Sequence, residues 1–212
     1  MTEQEVMNYF KPSKLDSRLE EFYSVQNGIP MIKHPLCFSI FHTEHMNHRM
    51  NQYLEYKLGA VEEALKRKEY ATYVFLHERP YRLQAFCDIE RELTDEVYWD
   101  LLGDVWTDSE NIWQNKIIWG YLLTSNRSKR EFFMNEDERA EFEKLPQTLT
   151  IYRGYQPRKN KLGYSYTTSK EKATWFANRF HKDGEVLTKK VDKSRVFAYL
   201  TRRNESEILI IS

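Results

Sequence analysis

Between about Phe41 and Lys68 the chain has no proline, and Met46, Met50, Tyr53, Leu54, Leu58, Val61 and Leu65 recur at steps of three and four. That spacing lines them up on one stripe and predicts an amphipathic helix. Upstream, Lys11-Pro12-Ser13 and Asn27-Gly28-Ile29-Pro30 are turn signals, expected around short helices. Ala71 to Leu76 is a short apolar segment, broken at Glu78-Arg79-Pro80. Further helices are predicted from about Asp95 to Val105 behind a Thr94 cap, from about Asn111 to Leu123, and from Asn135 to Lys144, where Pro146 closes the run. Trp99, Trp106, Trp113 and Trp119 lie in this stretch and are expected in the core, because burial is the usual fate of so large an apolar ring.

After Pro146 the period changes from the helical one to alternation. Leu149 to Gly154 and Gly163 to Thr167 read as strands. Thr168-Ser169-Lys170-Glu171 reads as a capping box opening a helix that carries Ala173, Trp175, Phe176, Ala177 and Phe180. Asp183-Gly184 is a turn, and Val186–Val191, Arg195–Leu200 and Glu207–Ile211 read as three more strands. The fold class is therefore α+β, a mainly helical lobe over 1–146 and a β-rich portion over 147–212, expected to form one compact unit.

Composition narrows the class. With 41% hydrophobic and 15% aromatic residues the chain can bury a core, which excludes disorder as the starting assumption. No apolar run is long enough to cross a bilayer, and the acidic start Met1-Thr2-Glu3-Gln4-Glu5 lacks the basic and apolar regions of a signal peptide, so a cytoplasmic protein with no membrane partner is expected. Cys37 and Cys87, both among apolar residues, are expected as buried free thiols. The net charge of zero conceals a division. From Leu149 onward there are 14 Lys and Arg against 6 Asp and Glu, and before it 18 against 26. A basic C-terminal portion suits an anionic ligand or nucleic acid, or else an attraction between the two parts of the chain.

Three short segments carry candidate chemistry. In Tyr152-Arg153-Gly154 a guanidinium, whose planar fork suits a phosphate, stands beside a residue without a side chain, which lets a flat ligand approach the backbone. Alternation along Gly163-Tyr164-Ser165-Tyr166-Thr167 puts Ser165 and Thr167 on one face, where they can orient a ribose or a carboxylate or simply pair across strands. In Glu205-Ser206-Glu207 two carboxylates two residues apart project to one side if the segment is extended, an arrangement that wants a cation or a ligand, unless it is a solvated loop.

Taken in order, Tyr152-Arg153-Gly154, then Ser165-Tyr166-Thr167 leading into a helix with Ala173, Trp175, Phe176 and Ala177, then Glu205-Ser206-Glu207 before an apolar strand, the segments resemble the arginine–serine–glutamate class of ADP-ribosyltransferases, in its bacterial and phage-type toxin branch. The resemblance spans Leu149 to the end of the chain. The middle triplet is Ser-Tyr-Thr, Ser165-Tyr166-Thr167, in place of the usual Ser-Thr-Ser, with an aromatic residue at its centre. The resemblance implies a split β-sandwich holding NAD as co-substrate in a cleft. It implies Glu207 as the catalytic carboxylate, Glu205 as the group that orients or deprotonates the acceptor, and Arg153 on a phosphate or the nicotinamide-side ribose. It also implies the Gly154 backbone on the carboxamide, Ser165 on the catalytic glutamate and ribose, and Tyr166 and Thr167 beside the cofactor.

The expected activity is mono-ADP-ribosylation of a macromolecule inside a bacterial cell. RNA, as in phage-defence toxins, is set ahead of protein arginine, with a catalytically inactive NAD- or partner-binding module as the alternative from another class. An antitoxin partner would suit a toxin. His42, His45 and His48 fall at steps of three on the long predicted helix, but such a row drifts around the helix and no metal is expected. Arg202-Arg203 is read as either an acceptor-phosphate contact or a solvated turn. Lys189, Lys190, Lys193 and Arg195 are read as either a nucleic-acid surface or a lysine-protected strand edge.

Overall fold

The structure, a computed structural model, describes residues 13–110, 112–157, 159, 161–180 and 182–211. The turn expected at Lys11-Pro12, the acidic N-terminus and the expected helix start at Asn111 lie outside them. The chain divides into two compact units, Met1–Glu92 and Leu93–Ser212. It is mixed α+β with two antiparallel sheets.

In the first unit a short helix, α1 (Ser17–Glu20), is followed by three strands, β1 (Tyr23–Gln26), β2 (Ile29–His34) and β3 (Cys37–Ile40), paired in that order. These strands replace the short helices expected there. Asn27 and Gly28 both have positive φ, 51° and 77°, as a two-residue type I′ hairpin requires. Their flanks, Tyr23 to Gln26 and Ile29 to Ile32, pair in register. The long helix, α2, runs over Asn47–Lys66 after a 3-10 turn at Glu44–Met46. Met50 and Leu54 from it join Leu19, Ile32, Leu36 and Cys37 in a buried cluster. The apolar segment expected at 71–76 is the helix α3 (Tyr70–Leu76), and α4 (Arg82–Ile89) completes the unit.

The histidine row is divided by these elements. His42 precedes the 3-10 turn, is buried, and is held by Asn47 Oδ1 at 2.8 Å and Ser39 Oγ at 3.3 Å, while His48 lies inside α2. Cys37 is a buried free thiol, as expected, whereas Cys87 is free but only half-buried; loss of solvation pushes both up to about 11, which disfavours thiolate chemistry. Among the described residues no helix is long and apolar enough to cross a membrane.

The second unit begins with α5 (Asp95–Asp108), whose first turn is capped by Thr94 accepting from the Val97 amide at 3.4 Å. Next come α6 (Lys116–Leu123) and α7 (Glu136–Glu143). Helix α7 opens with a full capping box between Asn135 and Glu138. Trp99, Trp106 and Trp119 are buried as expected. Trp113 is not: it stands half-exposed in the turn before α6, which starts at Lys116 instead of Asn111.

The strands that follow are β4 (Thr148–Tyr155), β5 (Ser165–Thr167), β6 (Glu185–Asp192), β7 (Ala198–Leu200) and β8 (Glu207–Leu209), with α8 (Lys170–Asn178) between β5 and β6. They form one antiparallel sheet in the order β6-β4-β5-β8-β7. The N-cap of α8 is Ser169, accepting from the Lys172 amide at 3.2 Å, and not Thr168. Thr168 instead donates its amide to the Ser206 carbonyl.

One sheet face buries Leu149, Ile151, Tyr166, Val191 and Ile208. The opposite face carries Tyr152, Gly154, Ser165, Thr167, Glu207 and Leu209, as the pairings of Tyr152 with Thr167 and of Thr167 with Glu207 require. Helix α8 lies on this second face. A Cβ on Gly154 would run into the Ala173 carbonyl and the Ala177 amide, so a residue without a side chain is needed for that close approach. Among the described residues β4 and β5 share one registered pair, Tyr152 with Thr167, whereas β4 and β6 are paired from Thr148 to Tyr155. The sheet therefore parts between β4 and β5 on the side of Arg153, Gly154 and Ser165.

Candidate active site

Glu207 begins β8 on the face shared with Ser165. The two residues are diagonal neighbours, since Glu207 pairs with Thr167 and Ser165 with Leu209. The Ser165 hydroxyl faces the Glu207 carboxylate and lowers its carboxyl. From the helical side, Trp106 Nε1 on α5 donates to both carboxylate oxygens, at 3.3 and 3.4 Å. Trp106 is itself fixed by packing: its ring meets Trp119 edge-on at 4.9 Å, and Phe133 and Tyr164 each at 6.4 Å. In the sheet β5 lies between β4, which α8 covers, and β8, which Trp106 reaches. Ser165 thus sits on the strip between those two cover elements.

Burial pushes the Glu207 carboxyl above the usual range. The hydrogen bonds from Ser165 and Trp106 pull it back down, Glu205 pushes it up, and Arg203 lowers it. A carboxylate in this position is one whose charge the fold opposes in bulk and supports through two specific donors. Perturbation of this kind at a group flanked by polar side chains marks a functional-site candidate.

Glu205 is brought near Glu207 by a turn and not by an extended segment. Asn204 and Ser206 have φ of 54° and 47°, the left-handed region that non-glycine residues enter at a cost. The turn is held from below. Thr167 Oγ1 donates to the Glu205 carbonyl at 2.8 Å, and the Thr168 amide donates to the Ser206 carbonyl at 3.2 Å. The side of Glu205 is met by Arg203, whose Nε lies 3.4 Å from Oε1.

Arg153 alternates onto the face of Leu149 and Ile151, yet its guanidinium turns into the parted seam. There Nη1 donates to the Ser165 carbonyl at 2.6 Å, and the group packs where a side chain on Gly163 would stand. Burial works against its charge, while Tyr166 and Glu207 favour it. Arg153, Ser165, Glu205 and Glu207 are thus brought together. Tyr166 is not with them: its ring belongs to the apolar cluster on the other face. Thr167 is buried, and its hydroxyl both donates to the Glu205 carbonyl and accepts from the Ser169 amide at 3.1 Å. The closeness of Gly154 to α8 has a packing cause independent of any ligand.

Of the two groups of cations read from the sequence, Arg202, Arg203 and Lys193 have structural partners. Arg202 is neither a phosphate contact nor a solvated turn residue. Its Nε donates to the fully buried Glu138 at 3.0 Å, its Nη2 to the Phe133 carbonyl at 3.0 Å, and its Nη1 to Asp104. Arg203 donates to the Thr107 carbonyl at 2.8 Å, at the C-terminal end of α5, where a cation is favoured by the helix dipole. Lys189 and Lys190 lie on β6, an outer strand of the sheet, and Lys193 donates to the Glu143 carbonyl at 2.9 Å.

Sequence reasoning assigned Trp106 to the core and missed its bond to Glu207. Nothing local signals that bond, since the partners are 101 residues apart. A separate groove of about 490 Å³, with Arg127, Arg139, Phe142 and Phe197 among its walls, is lined by none of these site residues. Its cations are engaged: Arg127 with the Leu93 carbonyl and Asp95, Lys129 with Glu96, Arg139 with the Met134 carbonyl. Among the described residues no group of His, Cys, Asp and Glu has the makings of a metal site. No family model matches the chain, and neither a curated protein nor a solved structure matches it.

Proposed function

We propose that this chain transfers ADP-ribose from NAD to a macromolecule, with RNA favoured over protein arginine as the acceptor. One observation carries the reading. Glu207 is a carboxylate held by an indole N–H and faced by a serine hydroxyl beside a parted strand seam, with an arginine in the seam and a second glutamate on the adjoining turn.

The residues suit the chemistry. Breaking the nicotinamide–ribose bond sends the bonding pair to nicotinamide, which leaves neutral, and builds positive charge on the ribose. A fixed carboxylate stabilises that charge most where it is greatest, in the transition state. Ser165 and Trp106 keep Glu207 oriented and favour its charged form. Glu205, on its own turn, takes the proton of the attacking nucleophile. Arg153 supplies a cation for a phosphate oxygen. The 14 basic against 6 acidic residues from Leu149 onward favour a polyanionic acceptor.

Protein arginine is the second reading, and one contact favours it: the Glu205 carboxylate already faces a guanidinium, that of Arg203. Labelled NAD incubated with the protein and either RNA, single-stranded DNA or a protein extract separates the cases. Label on RNA with the wild type, reduced by several orders of magnitude in Glu207→Gln, supports the first reading. Label on protein moves the acceptor to arginine. Intact NAD with no label anywhere removes the transferase reading and leaves a binding module.

A further inference from the structure

Helix α8 buries Ala173 and Ala177 against the sheet and turns large aromatic rings outward. Trp175 is 59% exposed and Phe180, just past the helix, 76% exposed. Indole rings are seldom left this open, and an exposed patch of aromatic surface marks a contact site. The rings are not isolated. The Arg179 guanidinium lies over both, 5.4 Å from the Trp175 centroid and 5.1 Å from that of Phe180, and Phe176 meets Trp175 edge-on at 5.0 Å.

The surroundings are cationic. From Lys170 to Asp183 the sequence carries Lys170, Lys172, Arg179 and Lys182 against Glu171 and Asp183. The Gln156 side chain donates to the Ala177 carbonyl, which ties the loop carrying the exposed Lys159 and Lys161 to the same end of α8. At the other end of α8, Thr168 binds the turn that carries Glu205.

We propose that Trp175 and Phe180, with Arg179 across them, form a stacking platform for unpaired bases of a single-stranded nucleic acid whose phosphates meet the surrounding lysines. Flat π surfaces joined by a guanidinium accept any base by stacking, and a cationic border tracks the backbone. An acidic or purely apolar protein partner would leave one half of this pattern unused. As the acceptor-holding surface of the enzyme, the platform rests on the transferase reading. As a binding surface it is tested without NAD.

Fluorescence anisotropy with short labelled uridine-rich RNA, the matching DNA strand and a blunt duplex, at low salt and without NAD, provides the test. The single strands are expected to bind more tightly than the duplex, with affinity falling as salt rises. Trp175→Ala and Phe180→Ala are each expected to weaken binding by about tenfold, Trp175→Phe to restore most of it, and Tyr56→Ala, which removes an exposed ring on α2, to leave it unchanged. The RNA and DNA arms decide which strand is held. Equal binding of the duplex, or undiminished binding by the Trp175/Phe180 double variant, overturns the platform. So does loss of the melting shift given by NAD in that variant, because the rings would then belong to the NAD site. Oligonucleotide that binds through the rings but is never labelled from NAD leaves the platform standing and removes nucleic acid as the acceptor. Labelled RNA whose binding ignores both rings does the reverse.

Discussion

The indole of Trp106 divides its N–H between the two carboxylate oxygens of Glu207, at 3.3 and 3.4 Å, from a helix 101 residues earlier in the chain. The other buried indole of α5, on Trp99, donates to a backbone carbonyl, that of Ser128, at 2.8 Å. One tryptophan closes a loop, and its neighbour two turns on supports an acid. Trp106→Phe keeps the ring in its aromatic cluster and removes the donor.

A donor to a charged acceptor contributes roughly 1.5–3 kcal/mol, and this one is long and shared, which places it at the low end. Its loss raises the Glu207 carboxyl further, because one of the donors that favour the charged form is gone. The acid limb of the pH–rate profile for the proposed NAD cleavage is expected to move to higher pH, with activity recovering as the pH is raised. Uniform loss at every pH would assign Trp106 a packing role alone.

Burial of Glu207 also makes a statement about stability. Its folded-state carboxyl titrates above its unfolded value, so the folded state holds the proton more tightly than the unfolded one does. The corresponding stabilisation is fully present below the unfolded value and is lost as pH rises through the folded one. Above the unfolded value the acidic group therefore weighs against the fold. Glu207→Gln is expected to melt higher than the wild type near about pH 7, and the difference to shrink toward about pH 4. A variant equally displaced at both values would mean that charge is not the cause.

The strand alternation of β4 and β5 was legible because one face is apolar: Leu149, Ile151 and Tyr166 fix which way Ser165 and Thr167 turn. The same rule failed at Glu205-Ser206-Glu207, where the left-handed Ser206 breaks the extended backbone that alternation assumes. Asn27-Gly28 was read as a turn between helices although this dipeptide, flanked by Val25 and Ile29, is a strong hairpin signal. The long-range links were not legible. Glu138 in α7 looks like one charge among many in a solvated helix, yet it is fully buried and accepts from Asn135, Thr201 and Arg202. Arg202 reads as half of a basic pair, and its role appears only when β7 brings it beside α7.

That buried pair carries a prediction of its own. Arg202→Met removes the Nε donor from Glu138 and the partner of Asp104, whose carboxyl burial already pushes up and Arg202 holds down. Removing one partner of a buried pair costs about 3–5 kcal/mol, because the other charge is left uncompensated. For a chain of this size that is about 10 °C in Tm. Adding Glu138→Gln is expected to recover part of the loss, so that the double variant is more stable than the sum of the single changes. Strict additivity in urea unfolding would show that the two do not act as a pair.

Thr167 offers the sharpest separation of site geometry from general stability. Its hydroxyl donates to the Glu205 carbonyl and accepts from the Ser169 amide, so it ties the acidic turn to the entry of α8. Thr167→Val matches it in shape and leaves both backbone groups without that partner, at about 1–3 kcal/mol each if they stay dry. The turn has a specific weakness, since Ser206 stays in its left-handed conformation only while its neighbours hold it. Released, the Glu205 carboxylate is expected to lose its register with Glu207. Transfer to the acceptor should then fall by at least tenfold, while NAD hydrolysis by water, which in the proposed reaction relies on Glu207 and not on Glu205, falls less. Thr167→Ser returns the hydroxyl and should restore transfer. Measuring labelled acceptor and free ADP-ribose in the same reaction gives the ratio directly. An unchanged ratio in Thr167→Val, with both activities reduced alike, would mean that Thr167 supports the sheet and not the turn.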